Sequence, residues 1–139
     1  MTQEDKELLL KDFCGRLPYG VMVLVDIDKE FDGGCISKLA TITEIKGEKM
    51  FLTKNSLTPV TIEEIRPYLR SKSSITEEET DEFLKTMIWS QDVKGLVPNV
   101  RIPTLDSFDW LNKNHFDYRN LLERDLAIAV TEENNPYKN

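Results

Sequence analysis

Apolar positions recur with helical spacing near the start of the chain. Leu10, Phe13, Cys14 and Leu17 fall at i, i+3, i+4 and i+7, the buried face of a helix over residues 2–16. Thr2 is placed to cap it, and Glu4 and Asp5 favour its positive end. Pro18 stops it, since proline has no amide hydrogen and its ring obstructs the preceding turn, and Gly20 helps the chain turn. The period then changes to two. Val21, Val23, Val25 and Ile27 share one face of a strand rich in β-branched residues. CISKLATITEI (35–45) predicts a second strand, and KMFLT (49–53) a third beyond a turn at Lys46-Gly47. Residues 57–61 predict a short fourth strand, 61–66 one tight helical turn, and 67–69 a last extended piece. Consecutive hairpins of this kind make a small antiparallel sheet of three to five strands, able to curl into an SH3-like open barrel.

The second half reads as helical. Thr76 and Glu79 form a capping box for a helix on which Thr80, Phe83, Leu84, Met87 and Ile88 line one face. Irregular chain follows over 90–103. Helices are predicted at 104–112 and 117–124, where Phe108, Leu111, Leu121 and Leu122 pack on the sheet and Phe108 and Trp110 join the core. Leu126, Ile128 and Val130 alternate with alanines, as in a short terminal strand, and residues 132–139 should fray. The fold class is therefore α+β in one domain, 1–139. Helix plus sheet occupy 1–70, a helical portion 71–131, and a tail 132–139.

Composition narrows the function classes. The 139 residues include 31% charged and 40% hydrophobic types, a globular balance, with a formal net charge of -7. Such a surface repels phosphate backbones, so nonspecific nucleic-acid binding is disfavoured. The opening MTQEDKELLLKDF has no basic stretch leading into an apolar run, and no segment approaches the roughly 20 apolar residues of a membrane helix. Neither secretion nor membrane insertion is expected. Cys14 and Cys35, 21 positions apart, make no metal motif and read as reduced, packed thiols of a cytoplasmic protein.

The most chemical-looking segment is DIDKEFDGGC (26–35). A calcium loop counted from Asp28 has Glu30, Asp32 and Gly33 in register, but its twelfth position, which needs a bidentate Glu, is Leu39. Counted from Asp26, Phe31 takes the glycine place and Ser37 the twelfth. Both flanks are strands where the motif needs helices. Asp32-Gly33-Gly34 is read instead as a turn, and no metal is expected. His115, the one histidine, lies near Asp117, but no G-x-S-x-G elbow marks a nucleophile for them. The carboxylates of Glu77, Glu78, Asp81 and Glu82 suit a solvated helix start. No phosphate-binding or dinucleotide motif is present, so no cofactor is expected. A helix-turn-helix over 104–126 would carry five acids against three bases, a poor footprint for reading DNA.

Three stretches carry a resemblance: LLLKDFCGRLPYGV (8–21), PYLRSKSSITEEE (67–79) and DWLNKNHFDYRNLLERDLAI (109–128). Together they resemble a family of short uncharacterised proteins of gut anaerobic bacteria and their prophages. Asp125 stands where that pattern has a glycine ending a short helix. The resemblance implies no activity or catalytic residues. It implies a small accessory protein of a mobile element, acting through a protein partner.

The resulting expectation is a noncatalytic interaction protein with no catalytic, cofactor-binding or metal residues. Its anchors would be aromatic or arginine side chains, and Tyr68, Arg70, Trp89, Tyr118 and Arg119 are the candidates. The alternative is a nucleic-acid-associated accessory protein using the 104–126 hairpin or the barrel. That role would need a basic face built from Arg66, Arg70, Lys72, Arg119 and Arg124. A hydrolase would need a pocket joining His115 to a nucleophile.

Overall fold

The computed structural model describes residues 1–25, 30–31, 34–35, 39–52, 55–89 and 101–138, with backbone alone at 30–31, 34–35 and 55–58. Helix α1 (Gln3–Arg16) begins where Thr2 caps it. The Thr2 hydroxyl accepts from the Asp5 amide and the Asp5 carboxylate accepts from the Thr2 amide, each at 3.1 Å. Its buried face is rotated from the one the apolar spacing predicts. Leu9, Asp12, Phe13 and Arg16 point inward, while Leu10 and Leu17 are half-buried and Cys14 is exposed. The cause is an ion pair one turn apart. Arg16 Nε donates to Asp12 Oδ2 at 2.8 Å with both side chains fully buried, so these two residues share the inner stripe with Leu9 and Phe13. Cys14 is thus not a packed thiol, and the side chain of Cys35 lies outside the described residues.

A short 3-10 turn (Leu17–Tyr19) carries Pro18 and ends at Gly20, whose φ of 70° is a conformation other residues rarely adopt. Strand β1 (Met22–Val25) follows, with Val23 and Val25 inward as alternation predicts. Strands β2 (Glu30–Phe31) and β3 (Gly34–Cys35) pair antiparallel, and Asp32 and Gly33 of the predicted turn lie outside the described residues. Asp26, Asp28 and Asp32, the remaining carboxylates of the rejected calcium loop, lie outside the described residues. Strands β4 (Leu39–Lys46), β5 (Lys49–Leu52), β6 (Asn55–Thr61) and β7 (Ile65–Leu69) complete the first half. A 3-10 turn (Ile62–Glu64) sits at the predicted helical turn.

The sheet runs β10-β7-β1-β4-β5-β6, where β10 (Ile128–Ala129) is the predicted terminal strand. Among the described residues it has six strands, where three to five are expected, and it is not a closed barrel. Among the described residues the edge strands β6 and β10 do not pair with each other, and Pro59 in β6 has no amide hydrogen to offer a further strand. Most pairings are antiparallel, but β10 lies parallel to β7, with Ile128 opposite Tyr68 and Ala129 opposite Leu69. The core forms between α1 and this sheet from Leu9, Phe13, Val23, Ile42, Leu52 and Leu69, closed by Leu121 and Leu126.

Helix α2 (Glu77–Leu84) starts at Thr76 through the predicted capping box but ends earlier than its apolar spacing suggests. Thr86 stops it. Its hydroxyl donates to the Phe83 carbonyl at 2.6 Å, and its carbonyl is captured by Thr104 Oγ1 (2.7 Å) and Ser107 Oγ (3.1 Å). Ile88 leaves the helix and pairs in a two-stranded ribbon, β8 (Ile88–Trp89) with β9 (Arg101–Ile102). Helix α3 (Leu105–Lys113) follows, capped by Thr104.

The fourth helix predicted over 117–124 is absent. Residues 121–125 form a turn. Asn120 and Asp125 bracket it in the left-handed region, at φ 60° and 57°. The Asp117 carboxylate caps the turn by accepting from the Leu121 and Leu122 amides at 2.9 and 3.0 Å. At its end the Leu126 amide donates to the Leu121 carbonyl and the Asp125 amide to that of Leu122, the pairing of a Schellman stop. Asp125 occupies the left-handed position that glycine normally fills.

The tail does not fray as predicted. The Tyr137 hydroxyl donates to the Tyr68 carbonyl at 2.8 Å and accepts from the Met22 amide at 3.1 Å. The Tyr137 ring stacks on His115 with centroids 3.6 Å apart. These contacts fasten the tail across β1 and β7, and burial pushes the Tyr137 phenol up to about 12.

Candidate functional site

The five anchor candidates do not form one exposed surface. Tyr68 is buried in β7. Arg70 makes a two-pronged contact with Glu79 at 2.6 and 2.7 Å, and its guanidinium lies 4.2 Å from the centroid of the Phe116 ring. That contact holds Glu79 down at about 2. Tyr118 donates to Asn112 Oδ1 at 2.9 Å, and Arg119 faces the buried Asp12 at 3.4 Å. Trp89 alone among the five is exposed, with the Arg101 guanidinium 4.8 Å from its ring centre. Arginine next to an acid-rich helix start is more readily a lock than a free anchor, and a partner such as Glu79, nine residues on, is visible only once the fold is known.

The same pairing dismantles the basic face. Arg70, Arg119 and Arg124 point their charge at Glu79, Asp12 and the Glu4–Asp5 pair, while Lys72 donates to Asn120 Oδ1.

His115 and Asp117 are not brought together as a catalytic pair. The Asp117 carboxylate is committed to two backbone amides. His115 follows the end of α3 at φ 62°, and its neighbours complete another Schellman stop. The Phe116 amide donates to the Leu111 carbonyl (3.0 Å) and the His115 amide to that of Asn112 (3.2 Å). Its ring packs on Tyr137. Burial, with the charges of Arg16 and Arg70, lowers the imidazole from 6.5 to about 4.

That shift has a pH signature. The unfolded chain takes up a proton near 6.5 and the folded chain does not until about 4, so acid favours unfolding across that window. Melting temperature should fall as pH drops from about 6.5 to about 5, before most carboxylates titrate. His115→Asn, which tolerates the left-handed backbone, should flatten that slope in a pH series of thermal melts. An equal slope in both proteins would show that another group is responsible.

Helix α3 presents the feature that sequence patterning missed. Its polar residues Ser107 and Asn112 are buried, whereas Leu105 is 83% exposed and Phe108 42% exposed. The expectation that Phe108 is core is overturned, and Trp110 is only half-buried. Two polar latches set this orientation. Ser107 is held by the Thr86 carbonyl at the end of α2, and Asn112 by Tyr118 and by close approach to α1 at Gly15. Only Leu111 and Trp110 remain to pack inward, Trp110 between Phe83 and Phe116 with ring centroids at 5.3 and 5.6 Å. Ser107 meets Thr86 from the end of α2 and Asn112 meets Gly15 from α1, partners distant in sequence, so the apolar periodicity points the wrong way.

The β8–β9 ribbon carries exposed apolar residues of its own. Ile88 pairs with Ile102 and both are exposed, as is Trp89 beside them. Phe108 meets the Tyr118 ring at 5.6 Å. Beyond Tyr118 opens an apolar groove of about 250 Å³ lined by Lys72, Ile75, Phe83, Leu111, Phe116 and Tyr118. A second groove of about 460 Å³ lies at the foot of the ribbon, with Asp81, Met87, Trp89 and Arg101 in its wall.

Among the described residues no cluster of His, Cys, Asp and Glu is arranged to hold a metal, and no helix is long and apolar enough to cross a membrane. No protein-family model, curated protein or solved structure matches this chain.

Proposed function

We propose that this protein is a noncatalytic interaction module that binds a protein partner through the outward face of α3 and the β8–β9 ribbon. The observation that carries the reading is the inverted polarity of α3, with Leu105 and Phe108 in solvent and Ser107 and Asn112 inside. Single exposed apolar residues are ordinary, but five large ones on segments close in sequence, with Phe108 against the Tyr118 wall of an apolar groove, favour a surface that is covered in use. The commitment of His115 and Asp117 to backbone geometry supports a noncatalytic role. The pairing of Arg70, Arg119 and Arg124 with carboxylates favours a protein partner over a nucleic acid. The role of a small mobile-element accessory, suggested by the sequence resemblance, fits such a module and is part of the proposal.

A photo-crosslinking amino acid placed at Phe108, in cells of the source organism, should capture one defined protein. The same group at exposed Lys49 on β5 should not. Equal labelling from both positions, or none from Phe108, would overturn the reading.

A further inference from the structure

The apolar groove beyond Tyr118 differs in composition from the exposed face of α3. Phe83, Phe116 and Tyr118 give it three rings, Ile75 and Leu111 complete the apolar wall, and among the described residues Lys72 is its one charged member. A cavity of about 150 Å³ lined by apolar side chains holds a benzene ring. The groove, at about 250 Å³, has room for a ring and a short chain. Small-molecule sites are built this way, with apolar and aromatic walls for the body of the ligand and a few polar groups to orient it. We propose that this groove binds a small organic acid, an aromatic or branched aliphatic body whose carboxylate is held by Lys72. The walls stand ready without the guest. Phe83 and Phe116 pack on Trp110 with centroids at 5.3 and 5.6 Å, and the Tyr118 hydroxyl is fixed to Asn112 at 2.9 Å, so little ordering is left for binding to supply.

The sign of the charge follows from placement. Lys72 is exposed and donates to the neutral Asn120 Oδ1 at 3.2 Å. Among the described residues it is in no ion pair, and an ammonium has three N–H donors, so it keeps the capacity to bind a carboxylate. The acids of the neighbouring elements are matched or turned aside. On α2, Glu79 shares the side of Phe83 but is committed to Arg70 at 2.6 and 2.7 Å. The other acids of α2, Glu77, Glu78, Asp81 and Glu82, fall about 100° or more around the helix from Phe83. On α3, Asp106 and Asp109 fall about 140° and 160° from Leu111. Behind the rings, Arg16, Arg70 and Arg119 are matched in number by Asp12, Glu79 and Asp117. Lys72 therefore sets the polarity at the mouth. A neutral guest leaves it without a counter-charge, and an amine meets a like charge. The net charge of -7 on the whole chain acts over longer distances, where salt screens it.

The test is a titration of the full chain followed by proton–nitrogen correlation NMR, with three probes that share a ring and chain and differ at one end: phenylbutyrate, phenylbutanol and phenylbutylamine. Phenylbutyrate should bind with a dissociation constant on the order of 1 mM. It should bind at least about threefold more tightly than the alcohol, although the alcohol is easier to desolvate, and about tenfold more tightly than the amine. The indole N–H signal of Trp110, which packs on two walls of the groove, should move, and that of Trp89 on the ribbon should stay. Lys72→Met should erase the advantage of the acid, and Lys72→Glu should turn the preference toward the amine. Ile75→Trp, which fills the groove, should abolish binding of all three, with melts showing each variant folded. No movement of Trp110 with any probe, equal binding of the three, or a preference unchanged in Lys72→Glu would overturn the proposal. Binding of acetyl-Gly-Gly-Phe at least about tenfold tighter than phenylbutyrate, and dependent on Lys72, would replace the free acid with the C-terminus of a protein chain.

Discussion

Arg16→Ala is expected to lower folding stability by about 3–5 kcal/mol, since it strands a buried charge. Arg16 and Asp12 have fully buried side chains, and Arg16 also donates to the Phe116 carbonyl at 2.5 Å. Burial raises the Asp12 carboxyl above its usual range even with Arg16 and Arg119 beside it. Desolvation therefore outweighs attraction at this site, and the pair is costly to break without being a strong net stabiliser. Truncating Arg16 leaves a carboxylate that must take up a proton or pull water inward, and it leaves the Phe116 carbonyl unpaired. Urea denaturation reads the loss directly. Asp12→Leu/Arg16→Met, which replaces both charges by apolar groups of similar volume, should recover most of it. A single-variant loss below about 1 kcal/mol would mean that the pair is hydrated, contrary to its burial.

Phe116→Ala should be comparably severe, at about 3–5 kcal/mol. The ring is 1% exposed. It stacks on Trp110 at an interplanar angle of 11° and supports the Arg70 guanidinium on its other contact. The backbone around it continues the sheet, because the Arg70 amide donates to the His115 carbonyl and the Asp117 amide to the Arg70 carbonyl. Removing the ring opens a cavity between α3 and β7 and takes away the platform that aligns Arg70 with Glu79. The expected sign in denaturation is a lower midpoint with an unchanged slope. A loss below about 1.5 kcal/mol would place Phe116 outside the core.

What could be read from the chain was local. The cap at Thr2 and the capping box of Thr76 with Glu79 both formed. The alternation of Val21, Val23 and Val25 placed β1 with its inner face correct. The misplaced features depend on partners distant in sequence. Asp12 and Arg16 occupy the inner stripe of α1 because Phe116 and Arg119 meet them, about a hundred residues later. Tyr137 holds the tail because Met22 and the Tyr68 carbonyl leave it two polar contacts. Ser107 faces inward because Thr86 ended α2 where it did. Of the anchor candidates, Trp89 fell on the exposed face, and the arginines were already engaged. Residue type identified groups able to anchor a partner, but not which of them the fold itself would use.

The central claim is that Leu105 and Phe108 of α3 serve recognition and not the core, and equilibrium unfolding of Leu105→Ser/Phe108→Ser tests it most directly. The account predicts a denaturation midpoint within about 0.5 kcal/mol of the parent protein, because surface substitutions away from buried features have effects of that size. A loss of about 3 kcal/mol or more, the cost of removing buried apolar side chains, would contradict it and return Phe108 to the core.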